Sequence, residues 1–269
     1  MRIPFDLHTH CTLSFDGISG ADEMAARAYE LGAGYYALTD HIDLGDHPDP
    51  EFDLDKTVGG AKAAFPALKE KYNVKMRLIW GVELGQPHHE PERVKAVLSR
   101  SSYDFVIGSV HNIRGYEDFY FLDYAKLDVT ALLDAYFDEL LEMAEQNLFD
   151  IMAHITYPLR YISGEYGINV DMTRYGAVLD ETLRTLIKNG KGIEINTSGL
   201  RQRLGRTMPD LPVVKRFREL GGEVLSIGSD AHRTDDLGAG IAEGIEIAKA
   251  AGFDRVTAFI ERKPTIIKI

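Results

Sequence analysis

The chain has 269 residues, is 45% hydrophobic and 27% charged, and carries a net charge of -12. That is the profile of an ordinary globular protein, without the broad basic face a nucleic-acid partner would need. No apolar run approaches the roughly 20 residues of a membrane span, and the lone Cys11 excludes an intrachain disulfide and suits a reducing cytoplasm.

Met1-Arg2-Ile3 passes directly into an apolar run with no h-region before it, so no signal peptide is expected. With no internal repeat, low-complexity tract or linker, a single domain over residues 1–269 is the simplest organisation. Residues 2–7 read as a first strand and 21–31 as a helix, with Asp22 and Glu23 at its start and Gly32 closing it. A second strand over 35–39 leads to Asp40-His41, and the Asp, Pro and Gly residues of 43–55 read as a long loop. Residues 61–72 look helical despite Pro66, 76–82 form a third strand ending at Glu83, and 91–99 form a short helix. A fourth strand over 104–110 ends at His111 and is followed by the aromatic loop 116–121. Helical periodicity is strong over 129–146, where Leu132, Leu133, Tyr136, Phe137, Leu140, Leu141 and Met143 share the apolar pattern. A fifth strand over 149–153 ends at His154, a helix covers 175–189, and a sixth strand opening at Gly192 carries Glu194 and Asn196. A helix over 213–220, a seventh strand over 223–228 ending in Ser229-Asp230-Ala231-His232, a helix over 241–251 and an extended tail over 265–269 complete the chain.

About seven strands alternating with helices imply a parallel α/β sheet with right-handed crossovers. Candidate ligands recur where strands end, which in a closed β/α barrel is the face that bears the active site. An open doubly wound sheet explains the alternation equally well but gathers seven strand ends around one point less readily. The expected fold is therefore a distorted, TIM-like barrel short of eight units.

His8 and His10 stand two apart on a strand, so both imidazoles face one side, about 7 Å apart, and neutral imidazole is the commonest metal ligand of its kind. One such pair carries little weight. Of the nine histidines, however, His8, His10, His41, His111, His154 and His232 all fall at or just past strand ends, while His47, His88 and His89 fall in loops. Asp16, Glu83 and Asp230 add carboxylates of the kind that bridge metals. Histidines that only satisfy core hydrogen bonds have no reason to choose strand ends so consistently, so a multinuclear metal site is expected.

The segments Asp6-Leu7-His8-Thr9-His10, Thr39-Asp40-His41, Glu83, Gly108-Ser109-Val110-His111, Ala153-His154 and Ser229-Asp230-Ala231-His232 resemble, in order, the motifs of the PHP (polymerase and histidinol phosphatase) superfamily. The resemblance implies a distorted (β/α)7 barrel holding up to three divalent metals at the C-terminal ends of its strands, and mixed histidine and carboxylate ligation accepts Zn, Fe or Mn. It implies one ion held by His8, His10, Glu83 and Asp230, a second by Glu83, His111 and His154 with Glu83 bridging, and a third by Asp16, His41 and His232. Glu83, Asp230 and His232 would also serve catalysis. Such metals bind phosphate oxygens and lower the pKa of a bridging water, whose hydroxide attacks phosphorus.

Arg160 and Arg201 lie just after His154 and the sixth strand and are the expected phosphate-binding residues, because a guanidinium fork matches two oxygens; Arg203 is a weaker candidate. His89 and the loop 116–121 are placed to line a pocket or form a lid, and Cys11 is read as structural. The chain length and the loops after His41, His111 and His154 resemble the histidinol-phosphatase branch. The implied activity is hydrolysis of L-histidinol phosphate in histidine biosynthesis, with another small phosphomonoester or a nucleotide as the alternative substrate. An amidohydrolase acting on C–N bonds would share the His-x-His strand, but no lysine stands at a strand end to be carbamylated. The expected partner is a small phosphorylated substrate, with no nucleic acid and no membrane; oligomeric state is left open, a homodimer included.

Overall fold

The computed structural model describes residues 2–43, 54–72 and 74–269. Most of the loop expected over 43–55, and with it His47, lies outside the described residues. The chain runs β1 (Phe5–Asp6), α1 (Ala21–Glu30), β2 (Tyr35–Leu38), β3 (His41–Asp43), α2 (Leu54–Tyr72), β4 (Arg77–Gly85), α3 (Pro91–Ser99) and β5 (Phe105–Ser109). It continues with α4 (Val129–Gln146), β6 (Ile151–Met152), α5 (Gly176–Lys188), β7 (Gly192–Asn196), α6 (Leu211–Glu219), β8 (Leu225–Gly228), α7 (Ile241–Ala250), β9 (Arg255–Ile260) and β10 (Lys263–Lys268).

Strands β1, β2, β4, β5, β6, β7 and β8 pair in that order, all parallel. The ring closes just beyond β1 and β8. There Leu7 N–H donates to Ile227 C=O at 3.3 Å, Asp230 N–H to His8 C=O at 2.8 Å, and His10 N–H to Ala231 C=O at 2.9 Å. The result is the expected distorted seven-unit barrel. Its strands are buried along their length, as in β5 and β7, which is why they read as continuous apolar runs. The helices carry the amphipathic faces: in α4, Leu132, Leu133, Tyr136, Phe137, Leu140 and Met143 turn inward. The helix starts where the Asp128 carboxylate caps the N–H groups of Thr130 and Ala131, and it ends at Asn147 in a left-handed conformation (φ 59°).

Three features depart from the expected elements. β4 does not stop before Glu83 but runs to Gly85, because β3 and β5 pair with its last residues. β2 and β3 are one strand interrupted at Thr39-Asp40: Leu38 pairs with Trp80 and His41 with Glu83, so the register along β4 is unbroken. The interruption frees the Asp40 carboxylate to accept from Cys11 N–H at 2.7 Å and Ser14 Oγ at 3.0 Å, fastening the loop after β1. Finally, residues 255–268 form an antiparallel hairpin rather than a short tail. Its turn, with Glu261 and Arg262 at positive φ, sits against the start of β5 and β6. Glu261 N–H donates to Asp104 Oδ1, and Arg262 forks onto Asp150 at 2.6 and 2.8 Å. This seals the N-terminal end of the barrel.

Gly228, the last residue of β8, is where β8 and the chain after β1 come closest. A Cβ there would lie 2.2 Å from His8 Cβ and 2.8 Å from Glu194 Oε1. Since all these atoms are buried in a closed ring, Gly228→Ala should destabilise the fold by about 1–3 kcal/mol. Calorimetry should then register a Tm roughly 2–10 °C lower; an unchanged Tm would show that His8 is free to move away from β8.

Candidate metal centre

Each barrel strand delivers a polar side chain to the C-terminal mouth, and Glu83 of β4 stands at the centre of the set. Its Oε2 lies 3.1 Å from His8 Nε2, 3.3 Å from His10 Nε2 and 3.2 Å from His41 Nδ1. Its Oε1 lies 2.9 Å from His154 Nε2 and 3.3 Å from His111 Nε2, and also accepts from the Ser109 hydroxyl. Asp230 Oδ1 is 3.3 Å from His10 Nε2 and 4.0 Å from His8 Nε2. Asp16 Oδ2 closes the outer side, 3.0 Å from His232 Nε2 and 3.7 Å from His41 Nε2. All nine expected ligands therefore converge. Asp16 and His232 are the most exposed of them, at 40% and 24% of the side chain, and mark the open side.

The donors fall into three groups: His8, His10 and Asp230; His41, Glu83 and His111; and His10, His41 and His232. This grouping differs from the expected one: Glu83 is absent from the first group, His41 stands in the second where His154 was expected, and His10 stands in the third where Asp16 was expected. His41 pairs in register with Glu83 across β3 and β4, so it sits between the inner carboxylate and Asp16 rather than on the outer side alone.

A set of side chains behind the ligands was not legible as part of the site. Glu194 of β7 holds His8 Nδ1 at 2.7 Å with one oxygen, and with the other accepts from His154 N–H at 3.2 Å. Asp43 Oδ2 lies 3.4 Å from His111 Nδ1. Partners of this kind fix the tautomer and ring orientation of a ligating histidine. The available signal was a charged residue flanked by Ile193 and Ile195 in a buried strand, since unpaired glutamate is almost never fully buried. Asp6 accepts from Ser229 N–H and Gly238 N–H and thereby ties the loop carrying Asp230 and His232 to β1. His154 and Asp230 adopt left-handed backbone (φ 23° and 55°), as non-glycine residues at functional sites often do.

Burial alone would raise the Glu83 carboxyl, but the charges of His8, His41 and His111 hold it well below the usual range. Asp230 is likewise depressed despite burial, by the adjacent His10 imidazole and the charges of His8, His232 and Arg160. The imidazoles diverge. Burial and the neighbouring His41 and His232 push His10 down to about 3, whereas the carboxylates of Glu83 and Asp16 overcome burial at His41 and lift it to about 9. Six adjacent imidazoles cannot all carry protons. His10 Nε2, His41 Nδ1 and His232 Nε2 also lack any hydrogen-bond partner although they are shielded from water. These three histidines form one donor group, with His10 stacked at 4.2 Å on both His41 and His232. Buried lone pairs converging on carboxylates fit divalent cations of the imidazole-accepting kind.

Around the mouth, Arg160 opens a short π-helical turn over Arg160–Glu165. Its guanidinium stacks over Tyr157 at 4.9 Å and donates to Ser198 Oγ at 2.7 Å and Asp230 Oδ2 at 3.3 Å. Arg201 points its fork elsewhere, at the carbonyls of Ser229 (2.6 Å) and Asp230 (2.8 Å). Arg203 is an exposed surface residue paired with Glu165. His89 turns to Glu139 of α4, and in the aromatic loop Phe119 is buried while Tyr120 and Phe121 are exposed. Cys11 is buried and donates to Asp40, its thiol pushed up by burial, in keeping with a structural role.

A closed parallel barrel with a histidine and carboxylate cluster at its mouth defines a metal-binding β/α-barrel protein. The PHP domain family model matches residues 6–198, and the chain belongs to that family. It is 28% identical, over 93% of both chains, to a protein of Thermotoga maritima named "Probable histidinol-phosphatase". It is 26% identical to the "Histidinol-phosphatase" of Lactococcus lactis over 94% of this chain and 93% of that one. Its fold superposes on the crystal structure of histidinol phosphate phosphatase from Lactococcus lactis, complexed with zinc, L-histidinol and phosphate. The TM-score is 0.83 at 23% identity, covering 97% of this chain and 98% of the other. Among the described residues no helix is long and apolar enough to cross a membrane.

If Glu83 is shared between ions, Glu83→Ala should lose more than one ion per chain. Glu194→Ala, which removes only the support behind His8 and His154, should instead weaken metal affinity on the order of 10- to 100-fold. Elemental analysis and chelator competition distinguish the two; full metal content in Glu83→Ala would show that Glu83 bridges nothing.

Proposed function

We propose that this chain is a metal-dependent phosphatase that hydrolyses L-histidinol phosphate to L-histidinol and phosphate. The observation that carries the reading is the convergence of five imidazoles on the buried Glu83 carboxylate, with shielded nitrogens that have no hydrogen-bond partner. The names of the relatives, and the zinc, L-histidinol and phosphate bound to the structural neighbour, support the substrate.

In this reading two or three divalent ions, Zn, Fe or Mn, are held by His8, His10, Asp16, His41, Glu83, His111, His154, Asp230 and His232. When bound they supply positive charge for the phosphate oxygens and lower the pKa of water. The protein's own contribution is placement and charge. Arg160 remains a cation, partly buried between Tyr157 and Asp230, and offers charge-assisted donors to the ester phosphate. In this reading Asp230, ionised and with Oδ2 3.3 Å from Arg160, accepts the proton of the attacking water. In this reading His232, on the open side, serves the leaving alcohol. Arg201 grips the backbone of Ser229 and Asp230, so its principal role is to position Asp230, with its remaining N–H groups available to phosphate.

The test is phosphate release by metal-loaded protein from L-histidinol phosphate, a nucleotide and a sugar phosphate side by side. The highest kcat/KM is expected on L-histidinol phosphate; a preference for either of the others would redirect the substrate assignment within the same chemistry. Arg160→Ala should cost roughly 10- to 100-fold in kcat/KM with metal content unchanged. Wild-type kcat/KM in that variant would remove Arg160 from phosphate binding.

A further inference from the structure

Apart from the barrel mouth, the described residues bring together one other set of metal-type donors: His88, His89 and Glu139, with one ligand atom from each within 4.8 Å of the others. The two histidines lie in the turn that follows β4, where His89 N–H donates to Gln86 C=O at 3.0 Å. Glu139 comes from α4. Its Oε1 is engaged by Arg114 N–H at 2.8 Å, which turns Oε2 to the histidines. His88 Nε2 and His89 Nε2 both lie 2.7 Å from that single oxygen, with the rings 4.4 Å apart.

The surroundings hold these donors in place. The His88 carbonyl accepts from Arg114 at 3.2 Å and Gln146 at 3.0 Å, so the turn cannot swing away from α4. The Arg114 fork is spent on Glu142, at 2.6 and 2.7 Å, and approaches Glu139 Oε1 only to 3.8 Å. His88 is 2% exposed and its Nδ1 has no hydrogen-bond partner. Burial also holds His88 in its neutral form, which is the ligating form.

We propose that His88, His89 and Glu139 form a separate cation site that takes a first-row divalent ion of the zinc class and clamps the turn after β4 onto α4. Two imidazoles and one carboxylate suit Zn²⁺ or its neighbours and disfavour Mg²⁺ and Ca²⁺, which prefer oxygen ligands. Donors bound tetrahedrally at zinc stand about 3.3 Å apart, so the 2.7 Å contacts must open by a few tenths of an ångström per side chain. The His89 and Glu139 side chains, 11% and 12% exposed, provide an entry and leave room for water as the fourth ligand. The clamp also reaches the catalytic mouth. In the same turn, Gln86 Oε1 accepts from His111 N–H at 2.9 Å, so an ion here stiffens the support of His111 without touching it.

The experiment compares zinc stoichiometry, and anomalous diffraction at the zinc edge, for metal-loaded wild type, His89→Ala and Glu139→Gln. The wild type should bind one ion more than either variant, with the mouth ions unchanged, and an anomalous peak should lie between His88 Nε2, His89 Nε2 and Glu139. Glu139→Gln keeps the shape and an acceptor for the hydrogen bonds but loses the charge. It should therefore fold normally and lose the zinc-dependent part of its thermal stability. The proposal is overturned if excess zinc gives peaks only at the mouth, or if all three proteins bind the same number of ions.

Discussion

Two oxygen atoms of one buried carboxylate organise the barrel mouth. Glu83 is fully enclosed, and an isolated charge in such a place would carry a large desolvation cost. Five imidazoles from the chain after β1, from β3, and from the ends of β5 and β6 are arranged around it instead. Each needs its strand to stop at one height, and this constrains the closure between β1 and β8, the interruption between β2 and β3, and the extension of β4 to Gly85. The distortions of the barrel are the adjustments that bring unequal strands to a common point.

The next layer shows how that point is kept rigid. Glu194 touches two ligands through opposite oxygens, Asp43 backs His111, and Asp6 ties the Asp230 loop to β1. His8, His111 and the segments carrying His154 and Asp230 are thus fixed from behind as well as in front, as a site that must hold its geometry within a fraction of an ångström requires. His154 and Asp230 persist in left-handed backbone, at a cost of about 1–3 kcal/mol each, because this surrounding network over-determines them.

Much of this was legible in the sequence, and for a physical reason. Strands buried on both faces read as apolar runs, so a polar ligand that terminates one stands out; His111 and His154 are found this way. Glu83 is different. It lies inside β4 beside Val82 and Leu84, and only the β3 and β5 partners, remote in sequence, extend the strand past it. The extended tail expected over 265–269 belongs to β10, which pairs antiparallel with β9, and Pro264 is tolerated there because β10 is an edge strand. Arg201 marks a firmer limit. Its position predicts proximity to the mouth, but whether a guanidinium turns to a substrate or to the carbonyls of Ser229 and Asp230 depends on a loop conformation that residue order does not encode.

The hairpin turn that inserts Arg262 against Asp150 divides the molecule by task. At one end a two-residue floor plate, held by a half-buried ion pair and by Asp104, locks the starts of β5 and β6. At the other end the same strands finish in His111 and His154. The contacts of this turn hold the strand starts in place, so the floor governs whether the barrel stands, while the donor residues govern what it holds. Sequence change at the rim can therefore retune the ligand shell while the foundation stays constant, and repair at the foundation can offset a rim substitution that weakens the fold.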